Sequence, residues 1–450
     1  MAEEETVTSL KSEIATLRGR VNELEAENAE LAARMANCCC DQKGTQQLGE
    51  SEVECRSSLE PNGERNSGGA ETKKTRRKKR VAEISSYDSR TVSHCPRRYV
   101  ALKVMYFGPR FYGFASEAQM EPTVESEIFK ALEKTRLLVT NKKEAQYSRC
   151  GRTDKGVSAV GQVIALFLRS KLRHLNSNTS DSRENFVDGQ NEEEIDYVRV
   201  LNRALPQDIR IFGWCPVPVD FHARFSCLGR GYKYLFWSGT LDLQAMETAG
   251  KKFVGEHDYR NFCKMDAANV HNYVRRIDSF EISPSDLRFQ GNQLFAIKIK
   301  GSAFLWHQVR CIVAVLFMVG EGLESPDVVD TLLDTSRTTR KPQYAMASEI
   351  PLILSSCDFE GLKFTCSSVA EQDLSVHLEN ECRTYQLQAA IYNEAMLSCM
   401  RPTGTAYKHN GESFVKIRGK ASHIPLMSRP TEPSYEERHA KLKLRDAGGS

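Results

Sequence analysis

Apolar residues follow different rhythms in different parts of the chain. At the start Leu10, Leu17, Leu24 and Leu31 recur at heptad spacing, and Val7, Ile14, Val21, Asn28 and Met35 fill the alternate seam positions. Mostly β-branched residues at a with Leu at d favour two parallel helices, and an Asn at an a position fixes register at a cost in stability. Glu13 opposite Arg18 and Arg20 opposite Glu25 suit the same pairing. The pattern predicts a coiled coil over residues 1–36; a single solvated amphipathic helix is the plainer alternative. From 37 to 95 large apolar residues thin out and Ser, Gly, Asn, Glu and Lys dominate, which predicts a disordered linker. Within it the run Lys73-Lys74-Thr75-Arg76-Arg77-Lys78-Lys79-Arg80 cannot pack. It suits a nuclear-import signal or a phosphate-binding arm, or it is simply solvated linker.

Folded sequence begins near Arg97. Tyr99 to Phe107 is rich in β-formers and ends at the turn Gly108-Pro109. Thr123 caps a helix with Val124, Ile128, Ala131 and Leu132 on one face. Val163 to Leu168 is a continuous apolar run, hence a buried strand. Tyr232 to Trp237 predicts another strand, and so does the alternation of Phe295, Ile297 and Ile299 with Ala296, Lys298 and Lys300. Ala303 to Gly322 and Asp327 to Leu333 carry helical spacing. The stretch 172–195 is polar and predicts a surface insertion, and the charged residues 425–450 predict an extended tail. Strands and helices alternate without regular βαβ spacing, so the body over 96–424 is expected to be α+β rather than doubly wound.

Composition narrows the function classes only a little. The chain has 450 residues, 40 % apolar and 27 % charged, ordinary values for a soluble protein. Lys plus Arg is 62 and Asp plus Glu is 59, a net charge of +3, so any nucleic-acid surface must be a local patch. The most apolar run, Cys311 to Gly320, is far shorter than the roughly 20 residues that span a bilayer, so no membrane partner is expected. Fourteen cysteines are scattered without a secretory signal, which points to reduced thiols in nucleus or cytosol. No Cys-x-x-Cys pair occurs, which argues against a structural zinc site.

Three clusters carry candidate chemistry. The densest is Ser148-Arg149-Cys150-Gly151-Arg152-Thr153-Asp154-Lys155-Gly156-Val157. Its glycines permit a tight loop, and Arg149, Arg152 and Lys155 supply a positive field around one acid. An Asp among cations is expected to have a depressed pKa and to stay ionised, fit to serve as nucleophile, base or metal ligand. A surface turn with an Arg–Asp pair fits the same pattern. A phosphate-binding P-loop does not, because Gly-x-x-x-x-Gly lacks the following Lys-Ser/Thr. The second cluster, Phe221-His222-Ala223-Arg224-Phe225-Ser226 with Arg230-Gly231-Tyr232-Lys233-Tyr234, interleaves aromatics with cations. That suits stacking on bases and contact with phosphates, or edge-strand packing. In the third, Trp306-His307-Gln308-Val309-Arg310, His307 and Arg310 head an apolar helix as a satisfied core pair or as an orienter for a carboxylate.

In this order the clusters resemble the TruA-type pseudouridine synthases. The matches are Gly151 to Val157, Phe221 to Ser226, Tyr232 to Tyr234, and Trp306 to Ile312, with one residue fewer between His and Val than the family spacing. Tyr106-Phe107-Gly108 through Phe111-Tyr112-Gly113-Phe114 also looks like that family's start. Lys155 and Ser158, with Asn261 to Asp266, look like the eukaryotic branch acting on tRNA positions 38 and 39. The resemblance implies a pseudouridine synthase fold in two subdomains, a mixed or antiparallel sheet with flanking helices. It implies isomerisation of uridine in tRNA, with no cofactor, no metal and no small-molecule partner. Asp154 would be the nucleophile, Tyr232 would stack on the flipped uracil and assist loss of the C5 proton, Arg310 would pair with Asp154, and Arg152 and Lys155 would hold the displaced strand or phosphates. A homodimer in nucleus and cytoplasm is expected. The alternatives are a sister branch with another tRNA site, a non-catalytic RNA-binding protein, and a basic-zipper factor. The last has its basic run on the wrong side of the zipper.

Overall fold

The computed structural model describes residues 95–116, 120–138, 141–172, 194–399 and 423–447, together with Gly19. Apart from Gly19 and Cys95, the expected coiled coil and linker, with the basic run, lie outside the described residues, as does most of the expected insertion.

Nine strands form one sheet among the described residues. They are β1 (Arg97–Tyr106), β2 (Ser148–Arg149), β3 (Ser158–Arg169), β4 (Ile209–Pro216), β5 (Gly229–Trp237), β6 (Gly255–Asp258), β7 (Val274–Phe289), β8 (Asn292–Gly301) and β9 (Leu352–Asp358). The order is β4-β1-β3-β9-β5-β8-β7-β6, with β2 added on β3. Every pairing is antiparallel except β3 with β9, so the sheet is mixed. The seam lies at β9, where Leu354 is opposite Ala159 of β3 on one side and Tyr232 of β5 on the other.

Helices cover one face in two groups. α1 (Val124–Lys134) begins with a capping box in which Thr123 and Ser126 exchange hydrogen bonds, and it buries Val124, Ile128, Ala131 and Leu132. With α2 (Tyr197–Asn202) it closes a core on Val100, Leu102, Val104 and Ile164. α3 (Leu243–Lys251), α4 (Gln308–Gly320) and α5 (Val328–Leu333) close a second core on Tyr234, Ile297 and Ile299. α4 is apolar on almost every side because it is buried on almost every side. Tyr232 packs against both cores. A third cluster, with Tyr99, Ala101, Val163 and Phe221, lies on the opposite sheet face, as strand alternation requires.

Two expectations change. The helix expected from Ala303 starts only at Gln308, because His307 takes a left-handed conformation (φ 60°) that turns the chain first. The tail is not extended: it holds a short turn, Leu426–Ser428, and a terminal helix, Tyr435–Ala447. Its charge concealed specific partners. Leu426 is fully buried, Glu324 accepts from its N–H at 2.7 Å, and Ser434 and Glu437 cap the helix reciprocally. The long helix α6 (Ser368–Cys399) had no amphipathic signal to find, since only Ala370 of its residues is buried. The terminal helix is α7. Among the described residues no helix is long and apolar enough to cross a membrane.

The seam is tight where Gly161 of β3 faces β9. A Cβ there would stand 2.4 Å from the Ser355 carbonyl oxygen and 2.7 Å from Ser356 Cα. Neither can swing aside as a side-chain tip would. Gly161→Ala is therefore expected to destabilise the fold by about 1–3 kcal/mol, the usual cost of overpacking. Urea unfolding should show a lower midpoint at unchanged slope; a wild-type midpoint would mean the seam yields freely.

Candidate active site

A cleft of about 1030 Å³ opens at the seam. One wall is the loop between β2 and β3, another the segment after Phe221, and the floor carries Tyr232 and Leu354. The chain from Ala303 to Arg310 closes the far side.

The loop is fixed from outside the cleft by the turn after β1. Phe114 N–H donates to the Thr153 carbonyl at 3.1 Å, and Gly156 N–H donates to the Phe111 carbonyl at 3.2 Å. Tyr106 Oη and Thr153 Oγ1 are 2.7 Å apart in the core. Gly156 has φ 81°, and a Cβ on it would meet Glu349 Cγ at 2.7 Å. Thus the two similar motifs, at 106–114 and 151–157, are halves of one structure.

Asp154 projects from this loop with 27 % of its side chain exposed. Trp306 Nε1–H donates to Oδ1 at 3.1 Å, and His307 Nε2 lies 3.4 Å from Oδ2. The left-handed turn at His307 lets two successive side chains reach one carboxylate. Gln308 holds that turn by accepting from Leu305 N–H at 2.8 Å. Lys264 Nζ sits 4.1 Å over the half-exposed Trp306 ring.

The electrostatics differ from the reading of the sequence. Burial pushes the Asp154 carboxyl above its ordinary value, against the pull of His307, Arg310 and the Trp306 indole. Burial also pushes His307 below its ordinary value, against the attraction of Asp154. Arg149, counted among the cations of the loop, instead forms an ion pair at 2.9 Å with buried Glu125 of α1. Lys155 is exposed and lies 4.4 Å over the Tyr112 ring, outside the cleft. Desolvation therefore outweighs the charges that remain.

Arg310 makes no ion pair with Asp154. It donates to the Ala347 carbonyl and to Glu349 Oε2, both at 2.8 Å, and it reaches Asp154 only through its field. Glu349 had no signal in the sequence. Of the His307–Arg310 pair, read as a core pair or as an orienter for a carboxylate, His307 stands beside Asp154 and Arg310 does not; Trp306, which adjoins them in the same cluster, had not been singled out as a site residue.

Tyr232 lies edge-on to Phe304, ring centres 5.0 Å apart, and burial pushes its phenol far above the ordinary value. Arg152 is exposed on the cleft wall. In the aromatic–cation segment Phe221 and Ala223 are core residues, whereas His222, Arg224 and Phe225 line the cleft. Phe225 is 76 % exposed. Among the described residues Asp154 belongs to no group of three or more His, Cys, Asp or Glu side chains able to share a metal ion. The arrangement offers a carboxylate for nucleophilic or base chemistry, flat faces for stacking, and guanidinium groups for phosphates.

Residues 249–360 match the family described as tRNA pseudouridine synthase. The chain is 40 % identical over 370 residues to the tRNA pseudouridine(38/39) synthase of Homo sapiens, covering 76 % of each chain. It is 41 % identical over 316 residues to the protein of that name from Saccharomyces cerevisiae, covering 66 % of each. A tRNA pseudouridine synthase A from Thermococcus sibiricus is 29 % identical over 299 residues, 66 % of this chain and 99 % of the archaeal one.

The raised Asp154 pKa makes a prediction about stability. The folded state holds this proton more tightly than the unfolded chain, so ionising Asp154 destabilises the fold. Asp154→Asn should raise the thermal midpoint at neutral pH. The gain should shrink as pH falls from the folded-state pKa to the unfolded value near about 4. Melting curves of both proteins across that range check this; a lower midpoint for the variant at neutral pH would refute it.

Proposed function

The chain belongs to the tRNA pseudouridine synthase family, and from that premise we propose that it isomerises uridine to pseudouridine in the anticodon stem-loop of tRNA, at positions 38 and 39. The observation that carries this is Asp154, held by Trp306 and His307 in a cleft with both aromatic and cationic walls. The relatives named for positions 38 and 39 support the choice of site.

In the reaction the N1–C1′ bond breaks, the uracil turns, and C5 bonds to C1′. A proton leaves C5 and one is placed on N1, so atoms balance and nothing is oxidised or consumed. Asp154 acts as the nucleophile or base that opens the glycosidic bond. Its raised pKa makes it more basic than a free carboxylate, while the indole N–H holds it in position. The target base must leave its stack, at a cost of a few kcal/mol. Stacking on aromatic faces such as Tyr232 offsets this by about 1–3 kcal/mol per base. Arg152 contacts phosphate at the mouth. Arg310 acts through Glu349 and the Ala347 carbonyl to keep the far wall in place.

Asp154→Asn is expected to abolish turnover and leave tRNA binding within a few-fold. Loss of a nucleophile costs more than the ~10²–10⁴-fold of acid–base assistance. Tyr232→Phe should slow turnover with little change in binding, and Tyr232→Ala should weaken both. Tritium release from C5-labelled tRNA and a binding titration on the same preparations measure these. Residual activity in Asp154→Asn removes the nucleophile assignment, and a fully active Tyr232→Phe removes the hydroxyl from proton transfer. Mapping pseudouridine in total tRNA with and without the protein tests the positions; loss at 27 and 28 instead would move it to a sister branch.

We propose further that the protein acts as a homodimer in nucleus and cytoplasm. The heptads from Val7 to Met35 and the run Lys73 to Arg80 support this reading. Deleting residues 1–40 should leave single-turnover chemistry intact and loosen the dimer at low concentration, since a tether raises effective concentration only. Deleting Lys73 to Arg80 should move the protein out of the nucleus and weaken tRNA binding chiefly at low salt. An unchanged location with an unchanged salt slope would leave the run a solvated linker.

A further inference from the structure

We propose that Cys150, Cys227 and Cys357 form a three-thiolate binding site for a zinc-class divalent cation. All three sulfur atoms lie within 4.8 Å of one another. Two sulfurs on a tetrahedral zinc stand about 3.8 Å apart, as Zn–S bonds of about 2.3 Å require. Rotamer adjustments of under about an ångström thus suffice to close the site.

The sequence hid this site because zinc motifs are sought as close pairs. Here the fold assembles it from three places: Cys150 follows β2, Cys227 precedes β5, and Cys357 lies in β9. Cys150 and Cys227 are buried and Cys357 is partly buried. Soft thiolates select zinc or copper(I) over calcium or magnesium.

Charge decides between those two. Arg230 is opposite Cys357 in the β5–β9 register, and its guanidinium donates at 3.4 Å to the carbonyls of both Cys150 and Cys227. Three thiolates with one divalent ion and Arg230 sum to zero, whereas a monovalent ion leaves a buried negative charge, which is costly. Binding the ion releases the thiol protons to solvent and leaves the sulfur oxidation state unchanged.

The site has a structural consequence for the reaction. Cys150 lines the cleft on the same loop as Asp154, and Cys227 follows the segment that carries Arg224 and Phe225. One ion would bind both walls to the central strand.

Cobalt(II) is the probe. The full chain, with Cys38, Cys39, Cys40 and Cys55 changed to Ser to remove thiols outside the described residues, is stripped of metal under reducing, oxygen-free conditions and titrated. We expect one equivalent to bind with a thiolate-to-cobalt absorption band whose intensity counts three sulfurs, and zinc to displace it. The band should be lost or cut by a third or more in Cys227→Ser and in Cys357→Ser. It should persist in Cys215→Ser, a buried thiol of the same core outside the cluster. Should a variant fail to fold, the ligand count in the parent still decides. No band, fewer than three sulfurs, an unaltered band in Cys227→Ser, or a disulfide among the three in place of metal uptake would overturn the proposal.

Discussion

Burial of Asp154 disfavours its ionised form, and the surroundings answer that cost in a particular way. At about 4 Å a full opposite charge contributes about 4 kcal/mol near a protein surface, enough to cancel much of a desolvation penalty of several kcal/mol. The structure does not place Arg310 there. It ties Arg310 to Glu349, whose own charge works against Asp154. The direct neighbours are an indole N–H and a histidine that burial keeps toward its neutral form. Position is thereby fixed with little neutralisation. A carboxylate clamped by a guanidinium would be a more stable anion and a weaker nucleophile.

Much of the fold was legible in the sequence. The apolar run in β3, the Thr123 cap and the alternation in β8 report directly on which faces are buried, and each appears where its pattern puts it. The clusters were legible too, since residues dense in cations and aromatics stand out against an ordinary background. What the pattern could not carry was direction. Arg149 and Lys155 flank the acid in sequence, yet one turns to Glu125 and the other to Tyr112. Counting cations along the chain therefore overstated the field and reversed the sign of the pKa shift. Glu349 and the tail failed for a related reason. Their partners lie far away in sequence, and a charged residue looks the same whether it faces water or a buried amide.

The site's place in the architecture follows from the sheet. Two helix-covered cores meet at one strand, and a cleft forms where neither set of helices covers the seam. Tyr232 packs against both, so the floor of the cleft is also the junction of the cores. The narrow parallel pairing of β3 with β9, two residue pairs long, limits how much backbone can be rearranged there without separating the halves.

That central strand is also among the last to be made. β3 and β5 flank β9, yet β9 begins at Leu352. At about 5–20 residues per second, translation takes on the order of ten seconds to travel from Tyr232 to Leu354. Throughout that interval the nascent chain carries two open strand edges that only a later segment can cover, which is the condition under which strands pair with the wrong partner. Closing the second core waits longer still, for Leu426 to leave the ribosome. Production of this protein is therefore expected to lean on chaperone capacity, and a message cut short before Leu352 would yield chains with both edges permanently bare.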